Sequence, residues 1–492
     1  MYRAYVTRVT NIRPAENADR LNACEVFGNT TIIDKSITED DTIVYFPSDG
    51  QISVEFGEKN NLFRRKDDAG NNVGGFIDPV KRNITAIRLR GNRSDGLVLP
   101  LSCLNYCYAH GDASIELRVG DVIDGCVNGH EICQKYIPRT NKSARMSGGG
   151  NKTRKHKVPT APLFAEHADT EQLAYNLSAF KPGDEIEITL KMHGTSQRTG
   201  YLPVFKGYKD NIWGKLLKVI KPTCDFDKKV IAWIEKHATP IYDWGYVSGT
   251  RRVVLENYEG GFYGDNQFRE QHSKIFEGKL NKGETVYYEV VGFTTNGTPI
   301  MASANNKKLN DKAFIKQYGE ETVFSYGCKP YSDTCLPCVS VCGGAPQSDI
   351  YVYRMTMTNE DGDVVEYTPD FMRYRCEQMG VKTVPIMWKG TIPEFEDVLY
   401  VDKDGDDVAD EDEIVLVKKA DAGEWILNKA NQYIDGPDPI GKTHLREGVV
   451  VRILNRPKFC AYKQKSFEFR VLEGIVKLDA SAPDMEEVQD VE

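Results

Sequence analysis

The sequence predicts an α+β protein in two parts: a small β-barrel at the front, then a larger strand-rich domain carrying insertions. Three observations carry that expectation. Between residues 1 and 140, short strand-like runs alternate with turn clusters such as PAENADRL, VFGNTT, PSDG and DDAGNNVGG. Short strands at regular spacing are the mark of a small barrel. Residues 141–160 then form a polar, Gly-rich, basic stretch, SARMSGGGNKTRKHKVP, with the composition of a flexible linker. Beyond it, runs such as EIEITL and TVYYEVVGF have the period-2 or continuous apolar character of strands, and KKVIAWIEKHA reads as an inserted helix.

Composition bounds the rest. A chain of 492 residues can bury two or three cores. No apolar run is long enough to cross a membrane and no secretory leader opens the sequence, so the 12 cysteines read as reduced thiols in a cytoplasm. The net charge of −9 argues against indiscriminate coating of nucleic acid, although phosphate affinity depends on local patches.

One such patch lies in the second half of the front module: Arg64, Arg65, Lys66, Lys81, Arg82, Arg88, Arg90 and Arg93, with Phe63 and Phe76 between them. The pattern fits a single-strand-binding face and equally a solvated surface over core aromatics.

The strongest chemical signal is Lys191, which ends the strand EIEITL and opens KMHGTS. A strand-end lysine before a glycine turn can push an amine into a pocket, where it can attack phosphorus and hold a nucleotide as a phosphoramidate. The pattern alone also describes a solvated lysine at a turn. Three later segments supply what such chemistry needs. TVYYEVVGF carries Glu289, REGVVVRIL carries Glu447, and AYKQKSFEF carries Lys463 and Lys465 on one face of a strand. Two carboxylates can hold a divalent metal and two lysines can neutralise a triphosphate.

In this order the segments resemble the nucleotidyl-transfer motifs of the covalent nucleotidyltransferase superfamily of ATP-dependent ligases and capping enzymes. The resemblance implies an antiparallel-sheet adenylyltransferase domain over residues 161–475, with insertions at about 305–348 and 390–423 and an acidic disordered tail at 476–492. It makes Lys191 the nucleophile, Glu289 and Glu447 the Mg or Mn carboxylates, and Lys463 and Lys465 the phosphate lysines. It adds His193, Gly194, Thr195, Arg198, Arg251, Arg252 and Tyr353 as nucleotide-binding residues, Tyr353 of DIYVYRMT stacking on the purine. His193 stands where the family usually has Asp, a variant associated with RNA ligases. Ser196 replaces a common arginine, with Arg198 nearby, and Arg354 replaces a common acidic residue. At the front, PAENADRLNACEV with DDTIVYFPSDGQI resembles an OB-fold module of tRNA-binding proteins, and VKRNITAIRLRGNRSDGLVLPLS resembles the N-terminal module of one RNA-ligase group.

Other features stay open. His167 and Asp169 precede the nucleophile strand and can reach a substrate or, for Asp169, cap a helix. Cys328, Cys335, Cys338 and Cys342 have the spacing of a structural Zn site, while Cys328 alone reads as a buried thiol. Asp402, Asp404, Asp406 and Glu413 fall at calcium-loop positions, but Asp407 occupies the glycine position, so a solvated acidic loop is the preferred reading.

The resemblance implies an ATP-dependent RNA ligase joining 3′-hydroxyl and 5′-phosphate RNA ends through a lysyl-AMP, with ATP, Mg or Mn, and RNA as partners. The alternatives are a GTP-dependent capping-type transferase and a non-catalytic RNA-binding protein on a ligase scaffold. Little sequence follows Lys465, whereas DNA ligases and capping enzymes carry a further OB domain there.

Overall fold

The structure, a computed structural model, describes residues 2–15, 21–48, 50–66, 72–84, 87–89, 92–108, 117–136, 159–168, 170–220, 230–231, 233–255, 258, 263, 266–309, 311–330, 346–395, 421–456 and 458–473. The linker, Asp169, Arg90, Cys335, Cys338, Cys342, the 402–413 acidic loop and the acidic tail lie outside the described residues, as do the side chains of Lys66, Arg88 and Arg93. Among the described residues no helix is long and apolar enough to cross a membrane.

The chain divides into two compact units. The first takes the described residues of Met1–Arg139, together with those of Asn305–Ile315 and Phe467–Asp484. Its main antiparallel sheet runs Leu97–Pro100, Ile43–Phe46, Ala4–Thr7, Val122–Ile123. Thr10–Pro14, Leu21–Val26 and Asn29–Asp34 form a second sheet. Among the described residues these ladders stay open and none closes into the expected barrel. Ala4, Val44, Phe46, Ile52, Phe56 and Leu104 are buried in one core. Phe63 joins that core, whereas Phe76 is 55% exposed, which divides the aromatic pair that the sequence left open.

The sequence reading counts the helix Phe467–Glu473 with the second domain, yet it clusters with this first unit. Phe469, Val471 and Leu472 are buried. Between them Arg470 pairs through Nη2 with Asp95 and lies 3.4 Å from Ser48 Oγ, while Ser48 donates to Asp95 at 2.5 Å.

The second unit is built on two antiparallel sheets. Its main strands are β1 Glu185–Lys191, β2 Thr195–Tyr208, β3 Pro240–Gly249, β4 Glu284–Gly292, β5 Ser348–Thr358, β6 Ile386–Thr391, β7 Gly448–Ile453 and β8 Ala461–Lys465. One sheet runs β8-β7-β1-β6, with the short strand Glu171–Gln172 parallel to β8. The other runs β3-β2-β4-β5 and continues to Val364–Glu366.

The predicted period-2 runs explain this order. In β1, Ile186, Ile188 and Leu190 are buried on one face, and Lys191 falls on the other. Helix Ala422–Ile434 begins at Asp421, whose carboxylate accepts the Glu424 N–H at 2.6 Å. Its residues Ala422, Ile426 and Ala430 repeat every four positions and are buried, as are Gly423 and Leu427.

Candidate active site

Strand register alone brings the basic and acidic residues together. Lys191 is paired with Gly448 of β7, and Gly448 with Lys465 of β8. Three consecutive strands therefore present Lys191, the Glu447–Gly448 junction and Lys465 in one row. Gly448 has φ +152°, and a Cβ there would stand 2.0 Å from the Gln464 carbonyl oxygen, so only glycine lets β8 approach.

Glu447 is completely buried between the two amines. Its Oε1 lies 2.6 Å from Lys191 Nζ and 2.9 Å from Lys465 Nζ. Its Oε2 lies 3.6 Å from His193 Nδ1. A carboxylate removed from water needs such partners. Lys463 sits two residues before Lys465, paired with Val450 and half-buried.

The turn after Lys191 is fixed by close approach. A Cβ on Gly194 would meet the Val290 carbonyl oxygen at 2.4 Å and Glu289 Cγ at 2.9 Å. Glycine at this position lets β2 start hard against β4, with Ser196 opposite Glu289. Glu289 is half-buried.

Tyr353 is re-aimed by a bulge. Tyr287 pairs with Arg354 and Tyr288 with Val352, so Tyr353 is the extra residue on β5. Its hydroxyl lies 2.9 Å from Ser196 Oγ. Burial pushes its phenol pKa upward, so it stays neutral.

This combination of sheets and register matches known architecture. A search of solved structures finds the Naegleria gruberi RNA ligase with PPi, 17% identical, with a TM-score of 0.50 over 95% of this chain and 97% of that one. The chain has the fold of that RNA ligase. A mutant of the same ligase with AMP and Mn is similar at 17% identity and a TM-score of 0.48, over 94% of this chain and 96% of that one. An apo mutant of it is similar at 16% identity and 0.49, over 95% and 96%. No protein-family model matches the chain, and no curated protein matches it.

Within this ligase-type fold the remaining residues divide by environment. Arg198 is 1% exposed. Its Nε donates to the Thr250 carbonyl at 2.9 Å, and Nη1 donates to the carbonyls of Phe164 (2.9 Å) and Ala165. Its guanidinium also covers the Phe164 ring at 4.1 Å. Arg251 and Arg252 occupy the turn closed by the Thr250 N–H donating to the Val253 carbonyl at 2.8 Å; Arg251 is half-buried and Arg252 exposed.

His167 packs 5.2 Å from the Tyr353 ring, and Arg354 Nη1 lies 3.3 Å from its Nδ1. Arginine has only donors, so Nδ1 accepts and the proton sits on Nε2. Burial, then Arg354, Arg251 and Arg198, hold its pKa well below the usual histidine value. Arg354 itself is a structural cation: Glu366 takes its Nε at 2.9 Å and its Nη2 at 2.9 Å.

Sequence reasoning missed Arg269 on helix Gln267–Lys274. It is 3% exposed, donates to Thr195 Oγ1 at 2.5 Å and to the Ser196 carbonyl at 3.1 Å, and fixes the strand that follows the nucleophile turn. No motif marks it, because its role depends on a tertiary contact.

Cys328 is buried and burial pushes its thiol up to about 12. Its three companions in the predicted zinc set lie outside the described residues. Among the described residues no three His, Cys, Asp or Glu side chains are grouped closely enough to hold a metal alone.

Proposed function

We propose that the chain is an ATP-dependent RNA ligase that joins 3′-hydroxyl and 5′-phosphate RNA ends through a lysyl-AMP on Lys191. The reading is carried by one observation: Glu447 bridges Lys191 and Lys465 at the junction of three strands, in a chain with an RNA ligase fold.

In the first step Lys191 Nζ attacks the α-phosphorus of ATP and pyrophosphate leaves. The N–P bond forms as the P–O bond to pyrophosphate breaks. A free lysine, with a pKa near ~10.4, is mostly ammonium and cannot attack. Glu447, 2.6 Å away, is placed to hold the amine and to receive its proton. Lys465 and Lys463 would face the charge that gathers on the phosphate oxygens. Tyr353 would offer its ring to the adenine.

Glu447 and Glu289 supply hard oxygen donors of the kind Mg and Mn take, and two carboxylates with substrate phosphates and waters complete such a sphere. When bound, the cation supplies positive charge that lowers the amine's proton affinity and neutralises the phosphates. In the second step AMP passes from Lys191 to an RNA 5′-phosphate. In the third, a 3′-hydroxyl attacks that activated phosphate and AMP leaves. The front unit would bind the acceptor RNA as an OB-like module, with Arg64 and Arg65, both exposed, beside Phe76.

The test is incubation with labelled ATP or GTP and Mg or Mn, followed by denaturing electrophoresis and by sealing of a nicked RNA. An ATP-derived adduct and a joined strand support the reading. A GTP-derived adduct makes the chain a capping-type transferase, and no adduct leaves a non-catalytic scaffold.

A further inference from the structure

The segment between β4 and β5, an insertion outside the recognised motifs, reaches back to the nucleophile turn. Tyr326 is 3% exposed, and its phenol oxygen accepts the backbone N–H of His193 at 2.6 Å. His193 is itself buried at the centre of KMHG. Its ring meets Phe324 edge-on at 4.6 Å, Phe324 meets His444 at 5.3 Å, and His444 meets Tyr326 at 4.5 Å. With the His193 N–H bond to Tyr326, these contacts join the four side chains into one closed cluster.

Two features mark this contact as constrained. Tyr326 has φ +47°, a left-handed conformation that a bulky side chain adopts only when its surroundings dictate it. The backbone then crosses the loop before Glu447 so closely that a Cβ on Gly441 would meet Gly327 N at 2.6 Å. That loop is held by Asp438, whose carboxylate accepts the N–H groups of Ile440, Gly441 and Thr443. One strained tyrosine therefore touches both the turn carrying Lys191 and the loop carrying Glu447.

We propose that Tyr326 is a positioning residue for adenylyl transfer: its hydroxyl locks the His193 amide, and with it the Lys191–Gly194 turn, against the Glu447 loop. This rests on the reading of Lys191 as nucleophile. A preorganised nucleophile lowers the barrier to attack, whereas a loosened turn must be reordered at each turnover.

The test uses Tyr326→Phe in the full chain, which keeps the ring and deletes the hydroxyl. Two readouts are compared with wild type: hydrogen exchange of the peptide spanning Lys191–Ser196, and the single-turnover rate of lysyl-AMP formation with its burst amplitude. Exchange should accelerate and the rate should fall about tenfold, the scale of one buried hydrogen bond, with unchanged amplitude and ATP half-saturation. Unchanged exchange overturns the proposal, and so does faster exchange at the wild-type rate. A lowered amplitude at the wild-type rate would mean only fewer folded molecules and also overturns it. If wild type forms no adduct, the functional reading falls and exchange alone decides the lock. Should Tyr326→Phe not fold, His444→Gln, which loosens the packing on Tyr326, should shift both readouts in the same direction, and no shift overturns the proposal.

Discussion

Lys191 Nζ and Glu447 Oε1 are 2.6 Å apart, with the carboxylate fully buried and the amine 13% exposed. The amine is thus the accessible member of the pair. Lys191→Ala should abolish the covalent nucleotide adduct. Lys191→Arg should do the same, because a guanidinium stays protonated. The check is labelled ATP followed by acid and alkali treatment, since a phosphoramidate is acid-labile and alkali-stable. A surviving adduct of that kind in either variant would sink the assignment.

Glu447→Gln keeps the shape and removes the buried charge that lies between Lys191 and Lys465. Adenylylation should fall by more than ~10²-fold, and stability should drop by about 3 kcal/mol. Glu289→Gln should cost activity similarly with a smaller loss of stability, because Glu289 is half-buried. Paired rate and denaturant measurements separate the two effects.

For Arg198 the expected phenotype is the reverse. Its guanidinium donates to the carbonyls of Thr250, Phe164 and Ala165. Arg198→Lys cannot reproduce that fork and should lower stability by roughly 2 kcal/mol. The ATP half-saturation of the folded fraction should stay close to wild type, and a large shift in it would support the nucleotide-binding role that the sequence resemblance implies for Arg198.

Burial lowers the His272 pKa to about 4, against a neutral partner, Ser348 Oγ, at 2.9 Å. The unfolded chain protonates this histidine near pH ~6.5 and the folded chain does not. Stability should therefore fall as pH drops from ~6.5 towards 4, by up to roughly 3 kcal/mol from this group. His272→Gln should flatten that part of the profile. Urea midpoints at pH 7 and pH 5 for both proteins make the comparison.

A chain beginning at Pro159 retains Lys191, Glu289, Glu447, Lys463 and Lys465, so it should still react with ATP and should lose most RNA sealing. It also leaves Arg470 without Asp95 and Ser48. The truncation should therefore aggregate more readily than the full chain, which light scattering would report. Equal retention of both activities would show that the front unit does not serve RNA binding.

Much of the second unit was legible. Lys191, Glu289, Lys463 and Lys465 all fall on strands whose period-2 or apolar pattern is plain, and Glu447 immediately precedes one. Register then does the rest, because a one-residue slip would turn each side chain to the opposite face. What could not be read depends on contacts between distant segments. The partners of Arg198 and Arg354, main-chain carbonyls for one and Glu366 for the other, are made by the fold and have no signature in the sequence. Tyr326 and Arg269 lie in stretches with no periodic or motif signal. The front module's turn spacing foretold short strands correctly, yet spacing carries no information on whether the ladder closes.

The pairing of Arg470 with Asp95 carries a consequence for biosynthesis. As the chain leaves the ribosome, the sheet around Ile43–Phe46 emerges early, with Asp95 and Ser48 awaiting a cation. Their partner helix, Phe467–Glu473, is translated on the order of tens of seconds later. Until then Asp95 lacks the Arg470 guanidinium. The first unit should reach its final state only once that helix has been made, and holdase-type chaperones should engage nascent chains of intermediate length.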